Sequence, residues 1–207
     1  MWAVENSRDA LYEAMRRRET FGTSGPRIAV RLFGGYGLDE DACDSPSLVA
    51  DGYANGVPMG GSLGEAVAGA RPRFVVQALR DPAAGGAGLE RIQIIKGWID
   101  DGEVREQVVD VVRWEGTSTL DADTCAPTTD GAAVLCASWE DEGFDAGERA
   151  FYYARVVEVP TCRWSRRECL RLEPDARPPA CDDPRVPTTI RERAWTSPIW
   201  YSPAQGG

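Results

Sequence analysis

Between Arg73 and Trp114 the chain carries three strand-length apolar runs divided by short turn signals, and this pattern restricts its fold more than any other feature. Arg73–Arg80 holds Phe74, Val75, Val76, Ala78 and Leu79. Leu89–Ile99 holds Ile92, Ile94 and Ile95, and Val104–Trp114 holds Val108, Val109, Val111 and Val112. The last two are joined by Asp100-Asp101-Gly102, a hairpin signal, because aspartate and glycine tolerate the left-handed backbone of a tight turn. Ala132–Trp139 and Phe151–Val159 add two further strands, the second apolar on both faces as a covered central strand would be. Arg27–Phe33 supplies an earlier one, with Ile28, Val30 and Leu32 alternating. The expectation is a mainly β protein: an antiparallel β-sandwich preceded by one α-helix and followed by an irregular, disulfide-stapled tail from Pro160.

The helix is read over residues 5–19. Asn6 or Ser7 can cap it, Asp9 suits its positive end, and Arg16, Arg17 and Arg18 suit its negative end. Leu11, Ala14 and Met15 share one side, and Phe21 to Pro26 breaks the run with Gly and Pro. Residues 34–72 are glycine-rich and are read as loop.

Charge and composition remove whole classes of function. The 207 residues carry 33 acidic and 23 basic side chains, a formal charge of −10, which argues against nucleic acid and anionic membranes as partners. Histidine is absent, so this chain holds no serine–histidine–acid triad, no cysteine–histidine dyad and no histidine-ligated metal. No segment reaches the ~20 apolar residues of a spanning helix. The six cysteines include no Cys-x-x-Cys pair, so they read as disulfides formed in an oxidising compartment rather than zinc or redox thiols. Short loops close most readily, which favours Cys125 with Cys136 and Cys162 with Cys169, leaving Cys43 for Cys181. The N-terminus lacks the order of a secretory signal, so an exported protein is expected to be longer than this chain.

No motif amounts to an active site. Gly34-Gly35-Tyr36-Gly37 follows a strand but opens no helix, so it is read as a turn rather than a phosphate cradle. Asp39, Glu40, Asp41 and Asp44 lack EF-hand spacing and read as a solvated loop. Trp98, Trp114 and Trp139 fall on or beside strands, where core packing explains them. Trp164, Trp195 and Trp200 lie in the tail and read as sealing residues at an interface.

Six ordered blocks carry a family resemblance: Glu5–Leu11, Arg17–Ile28, Gly56–Gly61, Arg91–Trp98, Arg149–Val156 and Ile190–Tyr201. Together they resemble the C-terminal third of the domain-of-unknown-function family 3604. The resemblance implies a longer, exported bacterial protein, periplasmic or extracellular, with a PHP-type (polymerase and histidinol phosphatase) metal-dependent hydrolase barrel upstream. On that reading residues 1–33 are the last helix and bridging strand of the barrel, and residues 34–207 are an accessory β-rich domain. The barrel would be the chain's partner. A divalent metal is implied there, for ester or phosphoester hydrolysis, with no metal or cofactor in this chain and no catalysis by it. Thr23, Ser24 and Arg27 are expected near the mouth of the intact site, since hydroxyl and guanidinium groups suit an anionic substrate. The alternative is a free-standing extracellular sandwich that binds a glycan or protein.

Overall fold

The computed structural model describes residues 1–203 apart from 67–68, 84–85, 122–123 and 126–127. The turn residue Pro127 and part of the Pro82–Gly88 turn therefore lie outside the described residues. The strands in chain order are β1 (Phe21–Thr23), β2 (Ala29–Gly35), β3 (Val57–Pro58), β4 (Arg73–Leu79), β5 (Leu89–Asp100), β6 (Glu103–Arg113), β7 (Val134–Glu140), β8 (Ala150–Glu158), β9 (Thr161–Cys162), β10 (Thr189–Ile190), β11 (Arg193–Thr196) and β12 (Ile199–Tyr201). The helices are α1 (Arg8–Arg16), α2 (Leu48–Asn55) and α3 (Trp164–Arg171).

Two antiparallel sheets face each other, as the alternation of apolar residues predicts. One has the order β1-β11-β8-β5-β6, with β12 also on β8; the other has the order β3-β2-β4-β7. Their inner rows form one core. Val30, Leu32, Phe74, Val76, Leu135 and Ala137 meet Ile92, Ile94, Tyr152, Ala154, Val156, Ala194 and Ile199. Each buried Ile, Leu or Phe contributes about 1.5–3 kcal/mol through removal from water. On the outer side of the smaller sheet, Phe33 and Val75 are covered by Leu38 and Leu48, so α2 and the turn before it form a second layer.

The helix is shorter than its sequence signal. Ser7 caps it, its hydroxyl accepting from the Ala10 amide at 3.3 Å, and the chain leaves the helix at Arg18, whose φ is 58°. Gly60 explains how the exit is held. A Cβ there would lie 2.3 Å from the Arg18 carbonyl oxygen, so only glycine lets the two segments touch, and Arg18 Nε donates to Gly60 O at 3.1 Å. Only Ala14 of α1 is fully buried, while Tyr12 and Met15 are half exposed. Residues 21–35 are built into both sheets: β1 pairs with β11, and β2 with β3 and β4.

Three expectations need correction. The 34–72 stretch is not all loop, since it contains α2 and β3. The tail is not irregular throughout either: β11 pairs with β8 and β1, and β12 pairs with β8. All six cysteines are in disulfides, but none of the three expected pairs forms. The bonds are Cys43–Cys136, Cys125–Cys162 and Cys169–Cys181. Strand alternation decides the first. Leu135 and Ala137 point into the core, so Cys136 points to the outer side of the smaller sheet, where Cys43 sits with a Cα separation of 5.8 Å. Cys125 then meets Cys162 on β9, and Cys181 is left to staple α3 through Cys169.

Candidate functional site

One end of the sandwich is closed by the tail, where the β9–β10 ribbon and α3 lie against the C-terminal end of β8. A cleft of about 260 Å³ opens there, lined on the sheet side by Glu158, Glu192, Gly25 and Pro26 and on the tail side by Arg163, Trp164 and Arg167. Glu158 is its most unusual member. Strand alternation puts it in register with Ala154 and Val156, so this acid continues an inward-facing apolar row and is only 1% exposed. Its Oε1 has no hydrogen-bond partner among the described residues. Burial, reinforced by the negative charges of Glu192 and Asp81, pushes the Glu158 carboxyl up to about 7.

The segment carrying Thr23, Ser24 and Arg27 reaches this cleft by two routes. Ser24 Oγ accepts from the Arg193 amide at 2.8 Å and donates to the Glu192 carboxylate, which lines the cleft. The Arg27 amide donates to Asp81 Oδ2 at 2.8 Å, and the Ala83 amide donates to Oδ1 at 2.9 Å. Those two bonds hold the Asp81 carboxyl below the usual carboxylate range. Ser24 and Arg27 thus each anchor one of the two acids that act on Glu158. Thr23 pairs with Ala194 in the sheet, and its side chain is exposed.

Glu158, Glu192, Arg163 and Arg167 escaped the reading of the sequence. A signal for Glu158 was present, since a charged residue inside a strand apolar on both faces has no cheap place to go.

A second buried polar group lies between the sheets. The chain's single lysine, Lys96 on β5, has Nζ at 2.6 Å from Asp141 Oδ2 and donates to Gly143 O at 2.9 Å. Tyr152 OH donates to the same Asp141 oxygen at 2.7 Å, and its phenol is pushed far up by burial and that carboxylate. The Lys96 ammonium, the Asp141 carboxylate and the Tyr152 hydroxyl thus satisfy one another, with the Gly143 carbonyl of the turn after β7 completing the set. The acidic loop lines another hollow with Asp39, Asp41, Asp44 and Asp51, where the Ser45 and Ser47 hydroxyls both donate to Asp51.

The family described as "Protein of unknown function (DUF3604)" matches residues 1–203. The chain belongs to this family. The match confirms the resemblance carried by the six sequence blocks and spans both sheets, α1 and the tail. No curated protein and no solved structure gives a significant match. In this DUF3604 chain the three disulfides fit maturation in an oxidising compartment, and no helix among the described residues is long and apolar enough to cross a membrane.

Proposed function

We propose that this DUF3604 chain is the accessory β-sandwich module of a longer, exported metal-dependent hydrolase, periplasmic or extracellular, and that it carries no catalytic centre of its own. The observation that supports this best is α1. It is amphipathic, yet it buries only Ala14 fully and leaves Tyr12 and Met15 facing solvent, as does the segment ahead of it with Val4. A surface helix of this length is marginal without a packing partner. A hydrolase barrel on that side would cover the stripe. The absence of histidine from the sequence fits a module whose metal-ligating residues lie elsewhere. Ester or phosphoester hydrolysis is the activity proposed for the intact protein, with a divalent metal activating water in the barrel.

The test is an assay of this chain with phosphomonoester, phosphodiester and sulfate ester substrates in manganese or zinc, beside the same gene extended upstream. The expected result is chelator-sensitive turnover by the extended protein only. Chelator-sensitive turnover by this chain would overturn the proposal.

A second reading, a free-standing binding module, is favoured by the outer face of the larger sheet. Phe151 and Tyr153 lie stacked at 14° between planes, and Trp200, 45% exposed, pairs across from Phe151 with ring centroids 5.4 Å apart. Exposed aromatic rings can stack on sugar rings or on a protein partner. Retardation of the chain in polysaccharide-containing gels, lost in Trp200→Ala, would support this reading over the first.

A further inference from the structure

We infer that the cleft at Glu158 binds a small zwitterion, its ammonium group seated on Glu158 and Glu192 and its anionic group facing Arg163 and Arg167. The built feature is the sealed Glu158 oxygen without a partner among the described residues. Leaving a buried acceptor unpaired is costly, and an N–H group entering the cleft would satisfy it. Glu192 supplies a second carboxylate on the same side, fixed by Ser24. From the tail side, Arg167 on α3 and Arg163 just before it contribute two guanidinium groups, with Trp164 and Ile190 to cover methylene carbons. A simple cation would meet the arginine side of the cleft, and a simple anion the acidic side. A molecule carrying both charges matches both. The volume of about 260 Å³ suits a ligand of amino-acid size.

The charged groups around Glu158 are Glu192, between β10 and β11, Asp81, after β4, and Arg163 and Arg167, at α3. An ammonium group requires the ionised carboxylate. Because Glu158 takes up its proton near pH 7, affinity is expected to fall about tenfold between pH 8 and pH 6.

Calorimetry or amide chemical-shift titration with β-alanine and taurine tests this, with propionate (no amine) and glycine betaine (no N–H) as comparators. The expected result is millimolar or tighter binding of an amine probe at pH 8, the tenfold weakening at pH 6, loss of binding in Glu158→Gln, and weaker binding in the exposed-site variant Arg167→Ala. Any of three results would overturn the inference: neither amine probe binding at millimolar concentration, propionate or glycine betaine binding equally well, or undiminished binding by Glu158→Gln. If a variant fails to fold, the comparison of probes and pH values on the unaltered chain still decides the question.

Discussion

Lys96 on β5 and Asp141 just after β7 form an ion pair across the sandwich, Nζ to Oδ2 at 2.6 Å, with both side chains at least 95% buried. Asp141 is tied to its own side by its amide bond to Pro72 O, and Lys96 is tied to the other sheet by its strand. Breaking such a pair strands a charge in the core. Lys96→Met and Asp141→Asn are each expected to cost about 3–5 kcal/mol, and Lys96→Met/Asp141→Asn distinctly less than the two singles together. Urea titrations with the disulfides intact measure all three. Strict additivity would show that the pair is not coupled.

The disulfides give a prediction free of energetic assumptions. Mass spectrometry of unreduced peptides is expected to find Cys43–Cys136, Cys125–Cys162 and Cys169–Cys181. Replacing Cys43 and Cys136 together by serine is expected to cost about 2–5 kcal/mol, because that bond closes the longest loop and fixes the second layer over Phe33. A Cys125–Cys136 bond would refute the connectivity.

The difference between the readable and unreadable parts of this fold is one of range. The β5–β6 hairpin was legible because its period-2 pattern and its turn are local. The cysteine pairing was not, since loop length says nothing of which face of β7 Cys136 occupies. β11 and β12 are three or four residues long and separated by Pro198, too short for periodicity to register. α2 was hidden by its glycine. A Cβ at Gly52 would lie 2.6 Å from the Phe33 ring, so close packing rather than helix propensity chose that residue. Within the site, Ser24 donates to Glu192 on the wall of the cleft, a contact that its turn-like sequence context did not announce. Its partner Glu192 comes from the far end of the chain, and no spacing rule connects them.

Helix α1 is expected to be the least protected helix or strand of its length. With only Ala14 fully buried, its amides should exchange orders of magnitude faster than those of β5, whose Ile92, Ile94 and Ile95 are wholly inaccessible. Hydrogen exchange followed by mass spectrometry measures this. Equal protection of residues 8–16 and 89–100 would mean that α1 needs no further partner, and would remove the main support for the accessory-module reading.

Glu158 gives stability a pH dependence of unusual sign. Its carboxyl is pushed up to about 7 in the folded chain, against the ordinary value of 4.5 that applies when unfolded. Between those two values the folded state holds a proton that the unfolded state has released, so this group's contribution falls as pH rises through that window. Above pH 7 the carboxylate is ionised in both states, and its burial is a constant penalty. Glu158→Gln removes the titration while keeping the shape. The variant is therefore expected to gain on the unaltered chain by about 3 kcal/mol at pH 8, with the gain shrinking toward zero below pH 4.5. Paired thermal melts across that range read the difference directly. A gain that does not change with pH would show that Glu158 titrates as an ordinary surface carboxylate. A loss at pH 8 would show that its ionised form already has a partner in the folded protein.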